Sequence, residues 1–388
     1  MSVRAFSAAG ATAIALAALL AAGAAVRGDG RLPDTESRLR DSVRYLLSRQ
    51  SKDGGFRSET YGLLRSGQSL TPFVLVSLLE APPAIARVPR DAVDRALAFV
   101  LRHVDQSGAL GRSSDAAEDY PNYATALAVR AFALARPDGW RETIRPMVAA
   151  LREQQFAEDR GWTPADAAYG GFGIGGPLRH PPYPGHVDLS MTRYLLEALR
   201  AAGSGDSEPA FARARVFLER CRDGKSGGFF FSPVVLEANK AGRTADGRPA
   251  PYGSATADGV LALLAAGAAV DDPAVSGALA WLEREFRPDV CPGPRADAVP
   301  RWDDALKGYW RAAAAKAFVA GGTSPRFDPF APLAAAALES AAGDGSQRNA
   351  NVLMKEDDPL IATAFAVETL SRCLGLAALE RRIDSSSR

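Results

Sequence analysis

The chain has 388 residues, of which 47% are hydrophobic, and its 46 basic and 45 acidic side chains nearly cancel. This charge balance argues against nucleic acid as a partner, because nucleic-acid binding needs a basic surface. Cys221, Cys291 and Cys373 show neither CxxC nor Cys/His spacing, so neither a disulfide framework nor a zinc site is expected. Whether any two of these cysteines pair is left open.

The N-terminus carries an apolar run from Gly10 to Val26, which follows one basic residue and ends in small residues. This pattern is typical of a signal peptide, so we expect residues 1–26 to direct export to the periplasm or the cell exterior. The alternative is an uncleaved anchor, with residues 10–26 in contact with a membrane. That alternative stays open because about 17 apolar residues are close to the minimum that spans a bilayer.

Amphipathic helices recur along the rest of the chain. Apolar residues at i, i+4, i+7 and i+8 begin at Leu39, and the same offsets return from Val93. Further copies lie near Ile144, Ala210, Val275 and residues 328–342. A glycine-containing stop follows each copy, as in QSKDGGF at 50–56 and AEDRGW at 157–162, and glycine can take the left-handed conformation that ends a helix.

After each stop comes a second, more uniformly apolar helix, which is typical of burial on all sides. The first turns of these helices carry Thr71, Thr125, Thr192, Thr256 and Thr363, with Arg311 in the sixth equivalent place. This regular spacing predicts six two-helix repeats over residues 34–376. We expect an all-α fold in which six hairpins close into an α6/α6 toroid, followed by a polar tail at 377–388. An open solenoid is the alternative.

Several segments resemble one known repeat group. They are QSKDGGF, SGGFFFSP, DLSMTRYLLEAL, YGSATADGVLALLAAG and DDPLIATAFAVETL. They are similar to the prenyltransferase and squalene-oxidase repeats of squalene-hopene cyclases and protein prenyltransferase β subunits. The resemblance implies a toroid and a lipid or isoprenoid ligand in its central cavity.

The catalytic motifs of that group are missing from the equivalent positions of this chain. The acidic DxDD motif of the cyclases falls on residues 359–362, and Glu356, Asp357 and Asp358 lie up to a turn earlier. Tyr252 and Ser254 occupy the places of two zinc ligands of the prenyltransferases. We therefore expect neither a metal nor a cofactor.

Candidate functional residues lie where the inner helices begin, because the long loops and the helix N-termini meet there. Asp188 and His186 form one candidate acid–base pair, and Asp357 and Asp358 are further catalytic candidates. For each acid the alternative is a helix cap. Candidate cavity residues are Tyr123, Thr125, Ser190, Thr192, Tyr252, Ser254, Thr256, Asp258, Tyr309, Trp310 and Thr363. For the aromatic members the alternative is an ordinary core position.

Three functions remain open from the sequence. The first is an exported cyclase-like domain that binds an apolar or amphipathic ligand, or a partner, in its central cavity without demonstrated catalysis. The second is an isoprenoid cyclase or transferase. The third is a glycan-active enzyme. A hydrolase would need two carboxyl groups facing each other across the cavity, for which Asp188, Asp258 and the acids at 356–358 are the candidates, whereas a lyase could use Tyr and His instead.

Overall fold

Helices account for most of the chain in the structure, a computed structural model that describes residues 32–112 and 119–386. The predicted signal peptide or anchor lies outside these residues, as does the membrane contact expected for residues 10–26. The helices are α1 (Leu32–Ser48), α2 (Leu70–Glu80), α3 (Arg90–Arg102), α4 (Pro121–Ala135), α5 (Trp140–Glu153), α6 (Leu189–Ala201), α7 (Pro209–Arg220), α8 (Gly253–Ala265), α9 (Pro273–Arg284), α10 (Lys307–Gly321), α11 (Phe330–Leu338) and α12 (Pro359–Ser386).

Shorter elements occupy the loops. They are a helical turn at Trp302–Ala305, 3₁₀ turns at Gly62–Ser66, Glu158–Arg160 and Leu236–Ala238, and two antiparallel strands, β1 (Phe172–Gly173) and β2 (Val187–Asp188). The final helix α12 runs through most of the segment expected to be a polar tail. Within the described residues, no helix is long and apolar enough to cross a membrane.

The odd-numbered and even-numbered helices form two concentric layers. An odd-numbered helix such as α3 buries only one face, with Val93, Leu97 and Val100 inside. In an even-numbered helix such as α2, every residue from Leu70 to Leu78 is buried. This difference follows from sequence, because a helix that is apolar all round is stable only when neighbours cover all of its sides.

The even-numbered helices close into a ring. Each one packs against the next, and α12 returns to pack against α2, while α12 also packs against the outer helix α1. The predicted all-α toroid of six hairpins is therefore confirmed, and the open solenoid is wrong. Closure lets a chain of this length bury one continuous core.

The threonines of the inner helices hold the preceding loops in place. In five repeats, the backbone amide of the second residue after a stop glycine donates a hydrogen bond to the threonine Oγ1. The pairs are Phe56 to Thr71 (2.9 Å), Leu110 to Thr125 (2.9 Å), Phe172 to Thr192 (3.1 Å), Phe229 to Thr256 (3.0 Å) and Gln347 to Thr363 (2.9 Å). Each hydroxyl satisfies a buried amide that would otherwise destabilise the fold.

The stop glycines form the seam between consecutive repeats. In five of the six repeats, a Cβ on the stop glycine would overlap a backbone carbonyl of the next outer helix. The contacts are Gly54 with Arg95, Gly108 with Pro146, Gly170 with Arg213, Gly227 with Gly277 and Gly345 with Asp41. In the third repeat this glycine is Gly170, not Gly161 of the AEDRGW stop. The last contact joins repeat six to α1 of repeat one and completes the ring.

Candidate functional site

The loops that join each outer helix to its inner helix meet at the end of the ring where the inner helices begin, which we call the mouth. Neighbouring loops hold one another there. The Asn122 amide donates to the Ile174 carbonyl (2.9 Å), and the Leu189 amide donates to the Phe231 carbonyl (2.9 Å). The Asn351 side chain donates to the Arg301 carbonyl (3.0 Å). The mouth is therefore a connected surface built from several repeats.

Five aromatic side chains form an arc inside the ring, within the first two turns of the inner helices. Their ring centroids are separated by 4.7 Å from Tyr194 to Tyr123, 6.3 Å from Tyr123 to Phe73, 5.1 Å from Phe73 to Phe365, and 5.6 Å from Phe365 to Tyr309. These distances fit the edge and tilted contacts that aromatic pairs prefer.

An ion pair closes this arc into a complete circuit. Asp258 accepts hydrogen bonds from the Tyr309 hydroxyl (2.7 and 2.9 Å), from Arg193 Nη1 (3.1 Å) and from Ser190 Oγ (2.6 Å). The Arg193 guanidinium lies 4.5 Å from the centroid of the Tyr194 ring, a cation–π distance. We call this circuit the aromatic belt: Phe73, Tyr123, Tyr194, Arg193, Asp258, Tyr309 and Phe365.

The carboxyl group of Asp258 is fully buried. Burial raises its pKa, while Arg193 and the hydrogen bonds from Ser190 and Tyr309 oppose that rise. Both carboxylate oxygens already accept hydrogen bonds within the belt. Asp258 is therefore an anchored structural acid, with no oxygen left over to direct a proton at a substrate.

A buried charge network lies beneath the belt, towards the C-terminal ends of the inner helices. Arg130 contacts Glu80 (2.6 Å) and Glu197 (3.1 Å), Lys316 contacts Glu197 (2.7 Å), and Arg372 contacts Glu80 (2.5 Å). This network fills the lower part of the ring.

The pKa values of this network reflect the balance between burial and charge. Burial alone would raise the pKa of Glu80, but Arg372 and Arg130 outweigh it and hold that pKa at about 2. For Lys316, burial and the nearby Arg130 lower the pKa to about 7, against the attraction of Glu197. The carboxylates are thus ionised at neutral pH, as a stable buried network requires.

Two lysines on the rim of the mouth lie among aromatic rings. The Lys240 ammonium is 4.8 Å from the Phe231 ring centroid and 4.9 Å from that of Trp302, and burial lowers its pKa. Loops of repeats four and five supply this first cluster.

The second cluster comes from repeats one, two and six. The Lys355 ammonium is 5.8 Å from the Tyr61 ring and 5.7 Å from the Tyr120 ring, and it donates to the Tyr120 hydroxyl at 3.3 Å. Tyr120 and Lys355 both have left-handed backbones, with φ of 46° and 61°. Backbone strain of this kind clusters at functional sites in proteins, although Arg136 at the end of α4 has the same conformation.

The structure brings the predicted pair His186 and Asp188 together. His186 Nε2 lies 3.1 Å from Asp188 Oδ2, and the His186 side chain is 38% exposed. The other carboxylate oxygen caps α6 by accepting from the Met191 amide at 2.8 Å. Asp188 therefore orients an accessible histidine while it also serves as an N-cap.

The predicted acids Asp357 and Asp358 have structural partners. Asp358 caps α12 through the Leu360 amide (2.9 Å) and also accepts from the Ser58 hydroxyl. Asp357 accepts from the Tyr61 hydroxyl at 2.5 Å. The geometry thus supports the capping interpretation for Asp358 and a loop contact for Asp357, with neither carboxylate free of partners.

Several predicted cavity residues belong to the core instead. Thr125, Thr192, Thr256 and Thr363 use their hydroxyls to hold the loops. Trp310 is fully buried, and its indole nitrogen donates to the Arg287 carbonyl at 2.7 Å. Tyr252 and Ser254 are buried, and the Ser254 amide donates to the Cys291 thiol at 3.4 Å. Of the predicted lining, Tyr123, Ser190, Asp258 and Tyr309 lie in or on the belt.

Sequence reasoning missed three belt aromatics, although a signal for them exists. Phe73, Tyr194 and Phe365 each follow an inner-helix threonine by two residues, as does Asp258. Tyr309 lies two residues before Arg311, the sixth equivalent position. It is therefore four residues, about one helical turn, before the position that the other belt residues occupy, and on the same face of the helix. The threonine register therefore marks the face that points into the ring.

Glu356 supports the belt from below the mouth. It is buried and accepts from the amides of Gly308 and Tyr309 at the start of α10, both at 2.9 Å. Burial raises its pKa from 4.5 to about 7, although these two hydrogen bonds favour the ionised form. Folding therefore favours the protonated carboxyl over a pH range in which the unfolded chain is ionised.

This raised pKa predicts a pH dependence of stability. Between the two pKa values the folded state binds more protons, so the free energy of unfolding should fall as pH rises from 4.5 to about 7. Glu356→Gln keeps one of the two acceptor oxygens and cannot titrate, so it should flatten this slope in urea unfolding, whatever its effect on the overall stability. Exposed Glu339 is the matched control, and Glu339→Gln should keep the slope. An unchanged slope in Glu356→Gln would contradict the assignment.

Among the residues that the structure describes, no group of three His, Cys, Asp or Glu side chains is arranged to hold a metal ion. The three cysteines are unpaired and buried.

Fold and site together define a closed α6/α6 toroid with an aromatic belt below a rim of aromatic and basic side chains. Solved structures with this architecture include a variant of the type II terpene cyclase MstE from Scytonema (14% identity, TM-score 0.57, 89% of this chain and 99% of that chain). They also include a D-mannose isomerase (11%, 0.58, 92% and 100%) and UGL with dGlcA-Glc-Rha-Glc (13%, 0.59, 88% and 96%). The terpene cyclase agrees with the sequence resemblance, and at these identities the likeness establishes the fold.

In sequence, the chain matches no protein family and no curated protein.

Proposed function

We propose that this protein binds an amphipathic ligand at the mouth, with the apolar part of the ligand on the aromatic belt and its anionic end near the rim lysines. The observation that carries this proposal is the belt itself. Tyr123 and Tyr309 remain half-buried in the first turns of inner helices, whereas Phe73 beside them is buried. Aromatic surface left partly exposed inside a ring is a favourable platform for apolar groups.

The rim supports an anionic end group. Lys240 and Lys355 lie in separate clusters at the mouth, and both side chains are half-buried. A partly desolvated ammonium attracts an anion more strongly than an exposed one does. An MstE structure contains geranylgeranyl dihydroxybenzoate as substrate, which combines a long apolar chain with a polar head. A ligand of that general shape suits both parts of this mouth.

The anchored Asp258 argues for binding in preference to acid-initiated cyclisation. Residues 359–362, where the cyclase acid would lie, read Pro-Leu-Ile-Ala and form the first turn of α12. A cyclase acid must release its proton to an alkene, and a carboxyl already held by Arg193 and Tyr309 is poorly suited to do so.

The His186–Asp188 pair favours a second candidate, a glycan-active enzyme. A carboxylate that orients an exposed imidazole is suited to move protons near neutral pH. D-mannose isomerase and UGL share this fold. The carboxyl groups of Asp258, Asp357 and Asp358 are held by structural partners, so this candidate would use proton transfer by a histidine.

A set of four titrations tests both candidates. Geranylgeranyl dihydroxybenzoate, geranylgeraniol, D-mannose and an acidic oligosaccharide are added to the protein in separate calorimetric titrations, with mass spectrometry of the mixtures for product. We expect the isoprenoids to bind without turnover. Tyr123→Ala should weaken their binding about tenfold, because a buried aromatic contact contributes about 1.5 kcal/mol.

The matched control is Tyr45→Ala, which removes a half-buried tyrosine from the outer helix α1. It should leave affinity unchanged. Equal losses in the two variants, or no isoprenoid binding at all, would refute the mouth as a lipid site. Conversion of a sugar that stops in His186→Asn would establish the second candidate instead.

A further inference from the structure

Repeats five and six depart from the other repeats at two equivalent positions. Arg311 stands where the other inner helices have a threonine. Gln347 stands where the other threonine-held loops place an apolar residue, namely Phe56, Leu110, Phe172 and Phe229. The first exchange replaces a hydroxyl that holds the preceding loop by a guanidinium, and the second puts a polar side chain into a position that the other repeats use for packing. Comparison of the six repeats thus indicates that the part of the ring between α10 and α12 differs chemically from the other parts.

Gln347 is buried, with 2% of its surface exposed. Its backbone amide is held by Thr363, and its Oε1 accepts from the Ser340 hydroxyl at 2.8 Å. Its Nε2 is buried and has no hydrogen-bond partner within the protein. A buried donor without a partner destabilises a fold, and an apolar residue in this place would avoid that cost.

This side chain lines a cavity of about 20 Å³ that also contacts Lys307, Arg311, Arg348, Glu356 and Thr369. A space of this size accommodates a particle about as large as one water molecule. Three of the lining side chains are cationic and one is a carboxylate. Lys307 is paired with Asp304 (2.8 Å). The Arg311 guanidinium donates to the carbonyls of Pro288 (2.8 Å) and Asp289 (3.1 Å), which leave its charge uncompensated, and Arg348 lies on the exposed side of the cavity.

The polar groups of the cavity that remain available for hydrogen bonding are mainly donors. The carboxylate oxygens of Glu356 already accept from the amides of Gly308 and Tyr309 and from Asn349 Nδ2 (3.1 Å). The Thr369 hydroxyl donates to the Phe365 carbonyl (2.9 Å). A ligand here must therefore accept a hydrogen bond from Gln347 Nε2 beside the Arg311 guanidinium.

We propose that this cavity is a binding site for a small monovalent anion, either a free halide or the carboxylate end of an organic acid. The unpartnered Gln347 amide supplies the hydrogen bond, and the two arginines supply the charge. A halide is close to water in size, and a carboxylate enters with one oxygen. The site lies between α10, α11 and α12 and does not depend on ligand binding at the mouth.

Thermal unfolding of the full chain in chloride, bromide, formate and gluconate, at equal sodium concentration and pH, tests the proposal. Gluconate is too large for the cavity. At about ten times the dissociation constant, a bound anion should raise Tm by about 2 °C over gluconate. Stabilisation by chloride and bromide alone identifies a halide site, and stabilisation by formate identifies a carboxylate site.

Gln347→Leu restores the apolar residue of the other repeats and should abolish the anion dependence. Gln154→Leu, which changes a half-buried glutamine far along the chain in repeat three, should keep it. Crystals of the unaltered protein grown in bromide should show an anomalous peak within hydrogen-bond distance of Gln347 Nε2. The same anion dependence in Gln347→Leu, or water alone at this position in bromide, would overturn the proposal.

Discussion

Replacing Arg130 with methionine is expected to lower the free energy of unfolding by about 3 to 5 kcal/mol, the cost of leaving buried charges without a partner. Arg130 bridges Glu80 and Glu197, at 2.6 and 3.1 Å, and its side chain is only 10% exposed. Methionine keeps much of the length of the side chain, so the lost stability comes mainly from the missing charge and less from the missing volume. Urea unfolding followed by circular dichroism measures the change.

Arg90→Met is the matched control, because Arg90 pairs with Asp94 on the surface, where the side chains are 65% and 52% exposed. That change should cost less than about 1 kcal/mol. If both variants lost a similar amount, the buried network would contribute no more than a surface ion pair does.

The pH dependence of the same variant gives a second measurement. Because the folded-state pKa of Glu80 is about 2, below its ordinary 4.5, the stabilisation is present above about pH 4.5 and is lost as pH falls towards 2. Arg130→Met weakens the attraction that lowers this pKa. The variant should therefore lose less stability than the unaltered protein when pH is lowered from about 5 to 2.

The toroid was predictable because its determinants are local and repeated. In five repeats the threonine accepts an amide from a loop 15 to 27 residues before it, and the stop glycine of that loop has a left-handed backbone. The exception is informative. In the third repeat the seam glycine is Gly170, because its position depends on contact with the Arg213 carbonyl in the next repeat. Sequence spacing alone favoured Gly161, which is nearer to the end of the preceding helix.

The site was predictable only in part, because ring closure creates it. Phe73 and Phe365 meet at 5.1 Å although they lie in repeats one and six. Lys355 reaches Tyr61 and Tyr120 across the same junction. In sequence each of these side chains is an ordinary core aromatic or surface lysine. Their shared role appears only when the first and last repeats come together.

Polar residues at the start of a buried helix were ambiguous for a different reason. A first-turn hydroxyl can face either the ring or the loop that precedes it. Thr192 faces the loop and accepts from the Phe172 amide, whereas Ser190, two residues earlier, donates to Asp258 in the belt. Residues two positions apart on a helix point in different directions, and the packing of the loop decides which of the two side chains faces the ring.

Gly345→Ala is expected to lower the free energy of unfolding by about 2 to 4 kcal/mol, because two costs combine. Gly345 has φ of 88°, which a residue with a Cβ rarely adopts, and a Cβ there would overlap the Asp41 carbonyl in α1. The Ser42 hydroxyl also donates to the Gly345 carbonyl at 2.9 Å. The substitution thus acts at the junction that joins repeat six to repeat one.

Gly343→Ala is the matched control, since Gly343 lies two residues away in the same turn and a Cβ there would have no neighbour within 4 Å. It should be neutral within about 0.5 kcal/mol. Hydrogen exchange distinguishes local opening at the junction from a general loss of stability. Gly345→Ala should speed exchange in α1 and α12 more than in α6 and α8, because of these four helices only α1 and α12 pack across the junction. Uniform acceleration in all four helices would mean that the ring unfolds as a unit, and that this glycine does not control the junction separately.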